Sequence, residues 1–203
     1  MNDWPDLLGP ADEVAPRLLG AVLRSGEVAV RLVEVEAYGG PGVPGDPGSH
    51  AHRGRTPRSA IMFGPAGRLY CYLSYGMHVC ANVVVGADGD AAAVLLRAGE
   101  VVEGVEVARA RRPGVSDHEL ARGPALLCRA LGIDLSYNAT DLAAGPVRLE
   151  LRSPAEAVPY ATGPRVGLRL AAERPWRFRV PEDPHVSVYR RHPKAAGDPC
   201  WRR

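Results

Sequence analysis

Two carboxylates and a phenol recur at every second position in Glu34-Val35-Glu36-Ala37-Tyr38. In an extended chain, residues two apart share a face. Leu32, Glu34, Glu36 and Tyr38 are therefore expected on one side of a strand, with Val33, Val35 and Ala37 on the other. If the first side faces solvent, the glutamates are ordinary surface charges. If it is buried beside a cleft, Glu36 is a candidate general base, able to take a proton from an attacking water.

Other residues could handle a polyanion or a flat ring. Tyr70 and Tyr72 share a strand face, and Tyr75 sits at a bend with Gly76. An aromatic at a turn tip is exposed and offers a face to a nucleobase, worth about 1–3 kcal/mol of stacking per base. At least one of Tyr70 and Tyr72 is expected to be plain core. The run His50-Ala51-His52-Arg53-Gly54-Arg55-Thr56-Pro57-Arg58 is compact and basic. It could contact phosphates through arginine forks, or be an ordinary exposed loop. His50, His52, Cys71, His78 and Cys80 fit no zinc-ligand spacing, so neither a metal nor another cofactor is expected. No Walker loop, GxGxxG, GxSxG or HExxH occurs.

The elements that must position these residues follow from pattern. A helix is expected over 11–24, stopped by Ser25-Gly26, and a valine-rich strand over 27–38. Residues 39–48, GGPGVPGDPG, read as a loop. Two strands, 68–75 and 78–85, flank Gly76-Met77 as a hairpin, or as a strand, a tight bend and a second strand, and 91–98 reads as a buried strand. Residues 101–111 and 117–131 look helical, with short strands at 147–152, 165–170 and 176–180. The pattern is α+β: one mixed domain over residues 1–190, with a loose tail over 191–203.

Composition narrows the class. With 203 residues, 46% hydrophobic and 24% charged, the chain has the make-up of a globular domain. It has no apolar run long enough to span a bilayer and an acidic N-terminus unlike a secretory signal, so a cytoplasmic protein off the membrane is expected. The four cysteines have no CxxC pair and read as reduced core thiols. The net charge is only +2, but residues 40–75 carry +3 and residues 160–203 carry +6. Two basic segments could face one polyanion, or simply be uneven surface. The cations are arginines; Lys194 is the one lysine.

Taken together, Glu34-Val35-Glu36-Ala37-Tyr38, Ser49-His50-Ala51, Arg53-Gly54-Arg55-Thr56-Pro57-Arg58, Met62-Phe63, Tyr70-Cys71-Tyr72-Leu73-Ser74-Tyr75-Gly76-Met77-His78, Asn82-Val83 and Val94-Leu95-Leu96-Arg97-Ala98 closely resemble the alkyladenine (3-methyladenine) DNA glycosylase family. Arg122-Gly123-Pro124, Leu127-Cys128 and Arg165-Val166-Gly167 extend the resemblance, which covers roughly residues 10–190 in co-linear order. It implies a single mixed domain with a curved, mainly antiparallel β-sheet flanked by helices. It also implies removal of alkylated or deaminated purines (3-methyladenine, 7-methylguanine, hypoxanthine and ethenoadenine) from double-stranded DNA by a monomer. Strand nicking, which needs an amine nucleophile, is not expected because the lone lysine, Lys194, lies in the expected tail.

Roles follow by position in the same way. Glu36 matches the base that activates water, and Arg97 and the main chain of Val166 match groups that help hold it. Tyr38 and Tyr72 match aromatics flanking the flipped base, with His50 beside it. Asn82 and Leu95 match pocket walls. Tyr75 matches the side chain wedged into the duplex, followed by Met77 and His78, with Arg53 and Arg55 near the DNA. Glu34 receives no role and is expected to be structural. A non-catalytic nucleic-acid-binding module on the same scaffold is the competing reading, and the joint presence of Glu36, Tyr38, Arg97 and Tyr75 argues against it.

Overall fold

The computed structural model describes residues 4–42 and 45–195. Its strands are β1 (Val22–Ser25), β2 (Val28–Tyr38), β3 (Leu69–Ser74), β4 (His78–Val84), β5 (Ala93–Glu103), β6 (Val147–Glu150), β7 (Ala161–Gly163) and β8 (Arg177–Arg179). Its α-helices are α1 (Ala11–Val14), α2 (Val105–Arg111) and α3 (Pro124–Leu131). The sheet runs β3-β4-β5-β2-β1-β6, every pairing is antiparallel, and β8 joins β2 while pairing with β7. The sheet is curled, and the domain is single and mixed α+β.

One face of the sheet holds the main core, in which Leu18, Leu23, Val30, Leu69, Val83 and Leu96 pack with Leu127 and Leu131 of α3. Helix α3 buries Leu127, Cys128, Ala130 and Leu131, the spacing of one helical face. Pro124 opens it and left-handed Gly132 ends it. The other face of the sheet carries the polar residues singled out above.

The alternation expected along β2 fails at one point. The β2–β5 register shifts between Leu32 and Glu34 and again between Glu34 and Val35. A bulge inserts a residue and changes which side the chain presents. Leu32 therefore joins Val35 and Ala37 in the main core instead of sharing the face of Glu34 and Glu36. The two glutamates point to the opposite side and are fully buried, so the solvent-face alternative is also wrong.

Several local expectations are corrected. The helix over 11–24 stops at Val14, passes through a 3-10 turn containing Pro16, and gives way to β1. Ser25-Gly26 does not end a helix; Gly26-Glu27 is the two-residue loop of a hairpin in which Ser25 pairs with Val28. Residues 165–170 form no strand, because β7 at Ala161–Gly163 takes the place beside β8. Residues 101–103 complete β5, and left-handed Gly104 turns the chain into α2. A break at Gly123 likewise splits the helical reading of 117–131 into a 3-10 turn and α3.

Cys71, Cys80 and Cys128 are free and buried, while Cys200 lies outside the described residues. Among the described residues no helix is long and apolar enough to cross a membrane. Of the expected tail, residues 196–203 also lie outside the described residues.

Candidate active site

Glu36 is fully buried, yet it has a polar partner on each oxygen. The Val166 N–H donates to Oε1 at 2.7 Å and the Tyr38 hydroxyl donates to Oε2 at 2.8 Å. The Arg97 guanidinium sits 3.3 Å from Oε2. Three donors of this kind fix the plane of a carboxylate. With the Val166 amide as its partner, Oε1 keeps acceptor capacity for a water. Burial first, and then the neighbouring Glu36 carboxylate, push the Tyr38 phenol well above its ordinary pKa. Tyr38 therefore remains a donor at any physiological pH.

Glu34 does a different job. Its Oε1 accepts from Arg97 Nε at 2.9 Å and from Arg177 Nε at 2.6 Å, and its Oε2 accepts the Ser187 N–H at 2.7 Å. Burial alone pushes Glu34 up, but the Arg97 and Arg177 guanidinium groups and the Ser187 bond outweigh it and hold the carboxyl below its ordinary value. An ionised acid tied to two cations is a poor base. It is a good anchor, and through Nε it orients Arg97 so that the far end of the guanidinium reaches Glu36.

A cleft of about 610 Å3 opens above this cluster, lined by Tyr38, Tyr72, Leu95, Arg97 and Val166. Three of the five touch Glu36 or are bonded to it, so the carboxylate lies under the cleft floor. A smaller hollow adjoins it, sharing Tyr38, His50 and Tyr72 and adding Tyr70 and Asn82. Asn82 is buried and donates from Nδ2 to the Tyr70 carbonyl at 3.0 Å, opposite Leu95 in the β4–β5 ladder. Tyr70 is the core member of the tyrosine pair, 2% exposed, with its ring centroid 5.6 Å from that of Tyr72.

His50 stands edge-on to Tyr72 at 4.7 Å, and its Nδ1 lies 3.1 Å from the Tyr70 hydroxyl. Desolvation and the nearby Arg58 guanidinium lower its pKa, so the imidazole is neutral at neutral pH.

The hairpin between β3 and β4 carries Tyr75 to the cleft mouth. Tyr75 and Gly76 have φ of 51° and 71°, and the Met77 N–H closes the turn on the Ser74 carbonyl at 3.2 Å. Two central residues with positive φ define a type I′ turn, and the left-handed region costs a non-glycine residue about 1–2 kcal/mol. Tyr75 is nonetheless 82% exposed, with Met77 70% exposed beside it and His78 exposed behind. No burial offsets that strain, which is the pattern of a residue held ready for a partner. Arg53 and Arg55 are exposed in the turn after His50, while Arg58 reaches over the Tyr72 ring at 5.2 Å.

The sequence reading missed Asp46. It lies in the glycine/proline loop and is 1% exposed. It accepts from the Gly39 and Gly48 amides at 3.2 and 3.1 Å and takes both arms of Arg165 at 2.6 and 2.7 Å. Arg165 is fully buried and stacks on Tyr38 at 4.7 Å and on Trp176 at 5.2 Å. The loop is thus a wall clamped behind Tyr38. A Cβ on Gly48 would fall 2.9 Å from Arg165 Nη2 and 2.8 Å from Leu168, so the clamp also requires glycine there. The available signals were an acid alone in a glycine/proline tract and an arginine directly before Val166.

A larger hollow of about 870 Å3 lies elsewhere, between Gly39–Gly42 and Gly86–Ala92. Its described lining has Asp12, Glu13 and Asp90 and no basic side chain, so it suits no phosphate. Among the described residues no group of three or more His, Cys, Asp or Glu side chains could hold a metal ion.

Comparison with known proteins gives the family. The family model for methylpurine-DNA glycosylase (MPG) matches residues 6–184. A protein of Nocardia farcinica named "Putative 3-methyladenine DNA glycosylase" is 61% identical over 188 residues, covering 90% of this chain and 89% of its own. A Leifsonia xyli protein of the same name is 54% identical, covering 91% of each chain. One from Rhodococcus jostii is 53% identical, covering 90% of this chain and 83% of its own. Sequence, fold and the arrangement of the cleft meet in one assignment: the chain belongs to the methylpurine-DNA glycosylase family and is a DNA glycosylase.

Proposed function

We propose that the protein removes alkylated or deaminated purines from double-stranded DNA as a monofunctional, monomeric glycosylase, with Glu36 as the base. The observation that carries this reading is a buried carboxylate held by Val166, Tyr38 and Arg97 under an aromatic cleft, with an exposed, strained Tyr75 at its mouth. A base inside a duplex is out of reach and must be rotated out, at a few kcal/mol. Tyr75 offsets that by entering the stack in its place. The base then lies among Tyr38, His50 and Tyr72, with Asn82 and Leu95 as walls.

Breaking the N-glycosidic bond puts positive charge on the sugar. Glu36 stabilises that charge and accepts a proton from the water that adds to the sugar carbon. The bond electrons leave with the purine. A lesion that is already cationic departs without an acid, which suits a site whose histidine is neutral.

Nicking the strand through a Schiff base needs an amine. The lone lysine, Lys194, is exposed near the end of the described chain. Incubation with duplexes bearing 3-methyladenine, 7-methylguanine, hypoxanthine or ethenoadenine should release free base and leave an intact strand that breaks only under alkali. Release of no damaged purine from the panel would overturn the reading. A borohydride-trapped protein–DNA adduct would overturn its monofunctional part.

Tyr75→Ser should weaken the flipped complex by about 1–3 kcal/mol. The loss should shrink where the lesion is mismatched, because extrusion is already easy there. An equal effect on single-stranded and duplex substrates would remove Tyr75 from this role.

A further inference from the structure

The family match ends at residue 184, but the chain beyond it returns to the cleft. Arg190, Arg191, His192 and Pro193 line the same cavity as Val166 and Tyr75. The Gly167 N–H donates to the Arg190 carbonyl at 2.9 Å, so the run is stitched by its backbone to the turn that holds Glu36. Arg191 folds the run on itself by donating to the Ala195 carbonyl at 3.1 Å. Both arginines are exposed.

Arg58 lines the same cavity, beside the aromatic wall and the Tyr75 hairpin, and donates to the Leu73 carbonyl at 3.3 Å. Cations from two distant parts of the chain therefore border one mouth. A nucleotide that enters a cleft drags its two flanking phosphodiesters to the rim. Those phosphates, unlike the base, are present whatever the lesion.

We infer that Arg190 and Arg191 form a second phosphate-binding rim, taking the backbone beside the extruded nucleotide while Arg58 borders the hairpin side. The inference rests on the reading that the cleft receives a flipped nucleotide. It gives the last described residues a function in DNA binding that is independent of lesion identity, in place of a loose tail.

The test is binding to two duplexes, one with a central tetrahydrofuran abasic site and one undamaged, across a series of salt concentrations. Each arginine–phosphate pair removed should flatten the slope of log K against log salt by about 0.9. Arg190→Ala/Arg191→Ala should therefore flatten it by about 2 and raise Kd on the order of tenfold at moderate salt. Arg190→Lys/Arg191→Lys should restore the slope, since a point charge suffices for counterion release. The backbone bond to Gly167 survives both changes, so folding is preserved. Arg148→Ala is the control, on β6 at the opposite edge of the sheet from the Tyr75 hairpin.

An unchanged slope and Kd in the double alanine variant, with wild type still preferring the abasic duplex, would overturn the rim alone. An equal loss of slope in Arg148→Ala would reduce it to a net-charge effect and overturn it too. Wild type that binds both duplexes alike would sink the flipping reading and the rim with it.

Discussion

Glu36→Gln is expected to lower the single-turnover rate of base excision by about 10^3–10^4-fold while leaving binding to lesion-bearing DNA intact. On the proposed mechanism, the change removes the charge that would stabilise the sugar cation and the site that would accept the proton of water. It keeps the shape. The amide oxygen can still accept the Val166 N–H, which now meets Oε1 at 2.7 Å. Tyr38 can turn its hydroxyl to accept from the amide. Arg97 gives up its 3.3 Å approach to Oε2 but keeps Glu34 and a bond to Ser187 Oγ at 3.2 Å. Folding should therefore be little disturbed, and melting temperature measured in parallel will show it. A near wild-type single-turnover rate in a folded Glu36→Gln protein would end the assignment.

Glu34 sharpens the comparison. The two carboxylates are neighbours on one strand, both are fully buried, and both face Arg97. Glu36 is held by three cleft-lining groups, Tyr38, Arg97 and Val166, whereas of Glu34's described partners Arg97 alone lines the cleft. Glu34 is held instead by Arg97, Arg177 and the Ser187 amide. The two carboxylates thus differ in how far the cleft's own lining holds them, a distinction made by tertiary partners and invisible in the repeat Glu-Val-Glu.

What could be read in the sequence was local. The β3–β4 hairpin was legible from two β-rich runs around a glycine, although the turn falls on Tyr75-Gly76 and not on the expected Gly76-Met77. Strand β2 was legible from its valines. The bulge beside Glu34 was not, because it answers to the register of β5, which lies far along the chain. The first helix was over-extended because Val22-Leu23-Arg24 fits either state, and pairing with both β2 and β6 decides for strand. Asp46 was unreadable for the same reason. Its partner Arg165 lies 119 positions away, and an acid alone in a glycine/proline tract does not by itself say that the charge is buried. Val166 was placed beside Glu36 only through family resemblance; its amide forms a bond spanning 130 positions that no periodicity encodes.

Asp46→Ala is the expected change of largest effect on stability. Among the described residues its carboxylate is the one acid bonded to the fully buried Arg165, whose other hydrogen bonds go to the Ala37 and Ala171 carbonyls at 2.9 and 3.1 Å. Arg165 Nε is already buried without a partner. Removing the acid leaves an uncompensated charge in the interior, which costs about 3–5 kcal/mol. In a domain of this size that corresponds to a fall in melting temperature of roughly 6–20 °C. Asp46→Asn should fall between alanine and wild type, since its oxygen can still accept from the loop amides while its amide group meets the guanidinium badly. Asp46→Ala combined with Arg165→Met should recover part of the loss, because a buried pair removed whole leaves no orphan charge. Excision below the melting range should also drop in Asp46→Ala, as Arg165 backs the Tyr38 ring and precedes Val166, two of the three groups that hold Glu36. Thermal unfolding of the three variants decides the matter. A shift under about 2 °C in Asp46→Ala, which is less than 1 kcal/mol, would mean that the loop is not clamped by this pair and that Tyr38 is held by something else.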